Sequence, residues 1–254
     1  MKFAFVFPGQ GSQSVGMMAA YGDSAVIRDT FAEASAALGE DLWQMVADGP
    51  AEVLAQTVNT QPLMLTAGVA VYREWIARGG ATPSLVAGHS LGEYSALVAA
   101  GALDFQEAVK LVRLRAQAMQ EAVPQGEGAM AALLGLDEAA TVEACAEAAQ
   151  GEVVSAANLN SPGQIVIAGA RAAVERAMVA AKARGAKRAV LLPVSAPFHC
   201  ALMKPAAERL QQRLADIEVR VPAALAAPAA AKAATAKKPT RRSKSGAAAK
   251  ARRA

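Results

Sequence analysis

The spacing of apolar residues along the first part of the chain predicts strands that alternate with amphipathic helices. Residues 3–7 and 84–87 are short apolar runs, which predict two buried strands. Apolar positions three and four apart predict two helices, the first capped by Asp23 and ended by Gly39, the second ended by Gly79. The two apolar stripes consist of Ile27, Phe31, Ala34 and Leu38, and of Leu65, Val69, Tyr72 and Ile76.

Two more helices are expected after the second strand. One runs to about Ala100, and Asp104 with Glu107 has the spacing of a capping box for the next, which ends before Pro124. The first part of the chain is therefore predicted to be of the α/β class.

From residue 127 the pattern changes to the order β-α-β-β-α-β, which is typical of a ferredoxin-like fold. The predicted strands are 129–134, 152–157, 164–168 and 188–192, the predicted helices are 137–149 and 172–183, and residues 160–163 are a predicted turn. We interpret residues 127–194 as a small domain inserted into a larger α/β domain formed by residues 1–126 and 195–218, with a last helix over 203–215.

The basic charge of the chain is confined to its last residues. Residues 222–254 hold nine Lys and Arg and no acid, so within a total of +4 the first 221 residues carry −5. An acidic body argues against a nucleic-acid-binding fold. The Ala-, Lys- and Arg-rich composition of residues 219–254 predicts a disordered tail.

The apolar runs and the cysteines argue against a membrane-spanning, secreted, disulfide-rich or metal-binding protein. No run approaches the roughly 18 apolar residues that span a bilayer, and the apolar start is too short for a secretory signal. Cys145 and Cys200 are far apart and form no CxxC pair, so neither a disulfide framework nor a metal site is indicated. A reducing, cytoplasmic setting is expected.

The sharpest chemical signal is Gly88-His89-Ser90-Leu91-Gly92, between a predicted strand and a predicted helix. Gly-x-Ser-x-Gly in this context lifts a serine hydroxyl out of the end of a sheet as a nucleophile. The alternative is a glycine-flanked turn in which the serine only caps a helix.

A serine nucleophile needs a base, and the chain has two histidines. His89 directly precedes Ser90, so its side chain is expected to point away, which leaves His199 as the candidate base. The alternative for His199 is a structural histidine. Cys200 is interpreted as a structural cysteine rather than a thiol nucleophile.

The glycine turn that begins at Gly9 is a second candidate part of a functional site. It lacks the third glycine and the later acidic residue of a dinucleotide fingerprint, so an oxyanion hole formed by the backbone N–H groups of Gln10 and Leu91 is preferred. Arg113 and Arg115 point in different directions around one helix, so at most one faces a pocket, where a guanidinium would bind a carboxylate; a solvated helix face is the alternative for each.

Several segments together resemble one family. They are FAFVFPGQGSQ, TQP at Gln61, GHSLGEYSAL, RLRAQAMQEAVP, NLNSPGQIVIAG and PVSAPFHCALMKPA. In this order they resemble the malonyl-CoA:acyl carrier protein transacylases, over residues 1 to about 217. The resemblance implies an α/β-hydrolase-like large domain with an inserted ferredoxin-like small domain. It also implies further core strands after the last helix, where this chain has its Ala/Lys/Arg-rich tail.

The resemblance implies a role for each site residue. Ser90 is the nucleophile, His199 the base, Gln10 and Leu91 the oxyanion donors, and Arg115 the ligand of the malonyl carboxylate. Gln61 and Asn160 would line the substrate site. The substrates would be malonyl-CoA and the phosphopantetheine thiol of acyl carrier protein, without a further cofactor or metal, and the protein would be a monomer with no membrane or specific nucleic-acid partner.

Two other functions remain open at this point. Gly-x-Ser-x-Gly alone also fits a serine thioesterase or hydrolase. A chain without the family's last core strands is also consistent with an inactive remnant.

Overall fold

A computed structural model describes residues 2–222 of the chain. The predicted tail lies almost entirely outside these residues. Residues before position 126 form two strands and six helices: β1 (Ala4–Phe7), α1 (Ala25–Leu38), α2 (Leu42–Asp48), α3 (Ala51–Leu54), α4 (Thr57–Ala77), β2 (Leu85–Gly88), α5 (Gly92–Ala99) and α6 (Phe105–Glu121). The remaining elements are β3 (Gly128–Leu134), α7 (Glu138–Ala149), β4 (Val154–Ser161), β5 (Gln164–Ala170), α8 (Arg171–Ala183), β6 (Arg188–Leu191) and α9 (Lys204–Ala215). Single turns of 3-10 helix occupy Ala19–Tyr21 and Ala201–Met203.

The helix α1 begins one residue later than predicted. Its cap is Ser24, whose Oγ accepts a hydrogen bond from the Ile27 N–H at 3.4 Å, and Asp23 lies outside the helix. The prediction that Asp23 caps this helix was therefore wrong. The Ser24 hydroxyl also donates to Glu74 Oε2 at 2.7 Å, and this second hydrogen bond fixes Ser24 at the start of α1 by holding it against α4. Gly39 ends α1 in the left-handed region, as predicted.

Helices α2 and α3 were not predicted, and α4 begins well before its apolar stripe. Buried residues from α1 to α6 form one core, whose largest fully buried members include Phe31, Ile27, Leu42, Leu63 and Leu111. The Asp104 cap of α6 is confirmed, since its Oδ1 accepts from the Glu107 N–H at 3.1 Å. The Glu107 carboxylate, however, binds Lys110 and Arg213 instead of completing the capping box.

The parallel strands β1 and β2 pair along Ala4 to Leu85 and Phe7 to Gly88. The prediction that both are buried was wrong, because Val6 and Leu85 are 72% and 71% exposed. Aromatic side chains of β1 pack on Tyr72 and Trp75 of α4, so one face of this sheet is covered and the other is open in the described part of the chain. The carboxyl ends of both strands nevertheless lie side by side, which brings the two glycine turns together.

The second sheet has four antiparallel strands in the order β4-β5-β3-β6. Helices α7 and α8 cover one face through a core that includes Leu133, Ile167 and Val174. The opposite face packs Met130 and Val166 against residues from α6 and from the segment before α9. This sheet is therefore covered on both sides, which explains why β3 and β5 are continuous apolar runs.

The predicted turn over residues 160–163 is too long. Asn160 and Ser161 belong to β4, and only Pro162 and Gly163 lie outside the paired strands. Register shifts on either side of Asn158 let β4 bend and continue past the predicted end at 157. Asn160 is thereby a strand residue. Among residues 2–222, no helix is both long and apolar enough to cross a membrane.

A test of this packing is the substitution Gly92→Ala. A Cβ on Gly92 would lie 2.2 Å from the Phe7 carbonyl oxygen, so α5 and β1 would have to move apart. We expect a loss of roughly 1–3 kcal/mol in the free energy of unfolding, measured by urea denaturation. Gly68→Ala is the control, because its Cβ would meet only side-chain atoms, the nearest at 3.2 Å. Equal unfolding midpoints for Gly92→Ala and the wild type would contradict the close approach.

Candidate active site

Ser90 lies at the sharp turn between β2 and α5. Its φ is +51°, in the left-handed region that non-glycine residues rarely adopt. The turn is fixed by hydrogen bonds from the Gly92 and Glu93 N–H groups to the carbonyls of His89 and Ser90. This geometry directs the Ser90 hydroxyl away from the strand and into a cavity, as a strand–turn–helix nucleophile requires.

His199 meets Ser90 across this cavity. Its Nε2 lies 2.8 Å from Ser90 Oγ, although the two residues are 109 positions apart in sequence. His199 also has a positive φ, +61°. The His89 side chain was expected to point away from Ser90. Its ring packs towards Gly9: a Cβ added to Gly9 would lie 3.3 Å from His89 Nδ1.

Arg115, on α6, enters the same cavity. Its Nη2 donates to Ser90 Oγ at 3.0 Å and its Nη1 donates to Gln61 Oε1 at 2.7 Å. The Tyr94 ring lies 5.6 Å from its Cζ. None of the ion pairs within residues 2–222 includes Arg115. Its hydrogen bonds to Gln61 and Ser90 are to neutral groups, and the nearby Glu93 carboxylate acts on its charge without forming an ion pair.

Arg113 points elsewhere, as its spacing from Arg115 predicts. It forms an ion pair with Glu40 at 2.6 Å, and its side chain is only 15% exposed. The alternative prediction, that Arg113 lies on a solvated face of the helix, is therefore wrong, because this side of α6 packs against α4 and the end of α1.

The two proposed backbone donors lie at the carboxyl ends of neighbouring strands. Gln10 follows β1, and Leu91 follows Ser90 at the start of α5. Within the described residues, neither backbone N–H is bonded to a carbonyl. Both residues line the cavity that holds Ser90, so both N–H groups are available to a ligand there.

The cavity has a volume of about 430 Å³. It combines one polar end around Ser90 with an apolar wall. The wall is formed by Met119, Met130, Val166, Leu192 and Phe198. Asn160 lies at its rim together with Asn158, and Gln61 is buried in its floor, so the structure brings every predicted site residue to one cavity.

Known proteins are similar to this chain in sequence and in fold. The acyl transferase domain family matches residues 4–245. The malonyl CoA-acyl carrier protein transacylase of Escherichia coli (strain K12) is 62% identical over 222 residues, which are 87% of this chain and 72% of that protein. The protein of the same name from Bacillus subtilis (strain 168) is 50% identical over 221 residues, 86% of this chain and 69% of its own.

This chain belongs to the acyl transferase family.

Solved structures of related transferases have a similar fold. The acyl carrier protein S-malonyltransferase of Vibrio cholerae is 60% identical, with a TM-score of 0.85 over 87% of this chain and 73% of that one. A malonyl-transacylase in complex with a type II PKS acyl-carrier protein is 57% identical, with a TM-score of 0.86 over 87% of this chain and 72% of that one. The mixed α/β fold of this acyl transferase is thus shared with relatives of known structure.

The charge state of His199 suits a base. Burial, followed by the positive charge of Arg115 and the neighbouring His89, lowers the pKa of His199 below its ordinary value. The imidazole is therefore neutral at pH 7. Burial also lowers the pKa of Arg115, but a guanidinium remains protonated at that pH.

The cysteines of the acyl transferase do not compete with Ser90. Burial raises the pKa of Cys145 to about 11 and also raises that of Cys200. The Cys200 thiol donates to the Pro197 carbonyl at 3.1 Å, so it is turned away from the cavity. In residues 2–222 no three His, Cys, Asp or Glu side chains are grouped as metal ligands.

Sequence reasoning missed one polar residue that lines this cavity and one aromatic residue that packs against Arg115. Asn158 lies at the rim beside Asn160, and the alternation of side chains in a strand would have paired the two had β4 been predicted to extend this far. Tyr94 lies four residues beyond Ser90, one helical turn away, so its ring faces Arg115.

The neutral state of His199 is testable because the chain has two histidines. In a proton NMR titration of the full chain, we expect the His199 ring signal to titrate below the ordinary value of about 6.5. A His199→Gln variant assigns the signal. An Arg115→Ala variant should raise the midpoint, because a positive neighbour is lost. Titration of His199 at or above the ordinary value would contradict a partly desolvated, neutral base.

Proposed function

We propose that this acyl transferase moves a malonyl group from malonyl-CoA to the phosphopantetheine thiol of acyl carrier protein, in fatty-acid biosynthesis. The observation that carries the proposal is the position of Arg115. Its guanidinium has no carboxylate partner within residues 2–222 and lies one hydrogen bond, 3.0 Å, from Ser90 Oγ. In a malonyl thioester one methylene separates the free carboxylate from the reacting carbonyl, so a cation this close to the nucleophile fits that acyl group.

The first half of the reaction loads Ser90. The neutral His199 Nε2 accepts the hydroxyl proton as Ser90 Oγ attacks the thioester carbonyl of malonyl-CoA. A carbon–oxygen bond forms, and the carbonyl oxygen becomes an oxyanion that faces the Gln10 and Leu91 N–H groups. The carbon–sulfur bond then breaks, and His199 returns the proton to the sulfur of CoA. The products are malonyl-Ser90 and CoA.

The second half repeats these steps with a different thiol. His199 accepts the proton of the phosphopantetheine thiol, the sulfur attacks malonyl-Ser90, and His199 returns the proton to Ser90 Oγ. The acyl group is conserved through the cycle, so no cofactor is required by the chemistry. Each oxyanion donor is worth on the order of 3 kcal/mol in the transition state.

Binding groups for malonyl surround the nucleophile. Arg115 would hold the carboxylate through two parallel hydrogen bonds, and Gln61, 1% exposed, holds one arm of the guanidinium in place. Asn160 would contact the substrate from the rim. Phe198 in the apolar wall would narrow the cavity against branched acyl groups.

The finer architecture is part of the same proposal. The strand order of the four-stranded sheet with α7 and α8 supports a ferredoxin-like domain over 127–194. We propose that it is inserted into an α/β-hydrolase-like domain of residues 1–126 and 195–218. The cytoplasmic setting stays a prediction from the two cysteines.

Loading of Ser90 is the direct test. Incubation of the full chain with malonyl-CoA should add one malonyl group, located on Ser90 by peptide mass spectrometry. Ser90→Ala should abolish loading because the attacking oxygen is gone, and Ser84→Ala, an exposed serine before β2, should not affect it. Malonyl labelling that persists in Ser90→Ala would reject the assignment.

The same assay separates the alternatives. A transferase passes the malonyl group from Ser90 to the thiol of acyl carrier protein faster than to water. Faster release to water would indicate a serine hydrolase or thioesterase, and a well-folded wild-type chain that never loads would indicate an inactive remnant.

Acyl selectivity tests Arg115. Arg115→Ala should reduce loading from malonyl-CoA on the order of 100-fold more than loading from acetyl-CoA. The reason is that only the malonyl group has a carboxylate that Arg115 would bind through two charged hydrogen bonds. Arg113→Ala is the matched control, two residues away on α6 and paired with Glu40 outside the cavity. Equal losses with both acyl donors would remove Arg115 from the binding site.

A further inference from the structure

A buried hydroxyl links two segments that both contribute residues to the cavity around Ser90. Thr57, the first residue of α4, is 2% exposed. Its Oγ1 accepts a hydrogen bond from Gln10 Nε2 at 3.1 Å and lies 3.2 Å from Ser195 Oγ. Because the Gln10 amide nitrogen is a donor, the Thr57 proton is free to be donated to Ser195.

One end of this link is the turn that carries a proposed oxyanion donor. The turn is already fixed on its other side, since an added Cβ on Gly9 would lie 2.8 Å from the His89 carbonyl oxygen. The Gln10 backbone is thus held between the Ser90 turn and Thr57. A shift of Gln10 would move its N–H relative to the oxyanion.

The other end is the segment that carries His199. Ser195 precedes His199 by four residues, and the residues between them are buried. The Phe198 N–H donates to the Ala196 carbonyl at 3.1 Å, which makes the segment a tight turn. A displacement of Ser195 is therefore transmitted to the imidazole.

We propose that Thr57 is a positioning residue for acyl transfer, whose hydroxyl fixes the turn with Gln10 and the segment with His199 relative to each other around Ser90. The inference rests on the proposed function and extends it to a residue that does not line the cavity around Ser90. Thr57 does not line the cavity that holds Ser90; with Gln10 and Ser195 it lines an adjoining cavity, and its two hydrogen bonds connect it to the Ser90 site.

The test compares Thr57→Val, which keeps the shape but removes the hydroxyl, with Thr57→Ser, which keeps the hydroxyl. Thr66→Val is the matched control, because Thr66 is fully buried on the same helix and donates only to the Pro62 carbonyl, at 2.8 Å. Rates are measured on the full chain by rapid-quench loading from malonyl-CoA and by Ser90 labelling with a fluorophosphonate, which needs the base and oxyanion donors but not Arg115.

Thr57→Val should slow both reactions on the order of 10-fold, since small misplacements of reacting groups have large kinetic effects. The KM for malonyl-CoA should stay within about twofold, because Arg115 and Gln61 are untouched. Thr57→Ser should restore the rate and Thr66→Val should leave it unchanged. Ser195→Ala, at an exposed position, should reproduce the loss without adding to it in the double variant.

Wild-type rates in Thr57→Val, or equal losses in Thr66→Val, would overturn the inference. Should Thr57→Val fail to fold, the Ser195→Ala variant decides in its place: an undiminished rate there overturns the inference as well. A wild-type chain that reacts with the fluorophosphonate but not with malonyl-CoA refutes the proposed function alone, and Thr57 is then judged on the fluorophosphonate rates.

Discussion

The arrangement of this active site depends on one partly buried positive charge that residues 2–222 leave without a carboxylate. Withdrawal of a guanidinium from water is unfavourable unless hydrogen bonds replace the lost hydration. Here Gln61 Oε1, Ser90 Oγ and the Tyr94 ring replace it in part. Under the proposed function, this incomplete compensation would make an anionic acyl group a favourable occupant beside Arg115.

The helix α6 shows how the chain separates structure from function at neighbouring positions. Arg113 and Arg115 differ by about 200° around the helix. The first is paired with Glu40 and holds α6 against the end of α1. The second has the same chemistry but faces the cavity, and its partners are neutral. The same charge therefore stabilises the fold at one position and prepares a binding site at the other.

The sequence was sufficient to predict those features that depend on local geometry. The Ser90 turn, the alternation of strands and helices, and the β-α-β-β-α-β order follow from glycine spacing and apolar periodicity. The short helices α2 and α3 were missed because they are too brief to show a period. The end of β4 was missed because a bulge, invisible in composition, carries the strand past residue 157.

The predicted burial of β1 and β2 failed for a different reason. An apolar run indicates that a strand has apolar neighbours, but not on how many faces, and here Val6 and Leu85 face away from α4. Long-range polar contacts were equally out of reach. No local pattern indicates that Thr57 bonds to both Gln10 and Ser195, because those contacts exist only once three distant segments meet.

Chemistry and selectivity come from different parts of the molecule. Under the proposed function, the turns after β1 and β2, with α4 and α6, would supply the nucleophile, the oxyanion donors and the cation. The four-stranded sheet supplies Met130, Val166 and the two rim asparagines. The segment with His199 joins them, since Phe198 packs with Met130 while His199 reaches Ser90. A change in the wall would therefore alter which acyl group fits, and it would leave the contact between His199 and Ser90 in place.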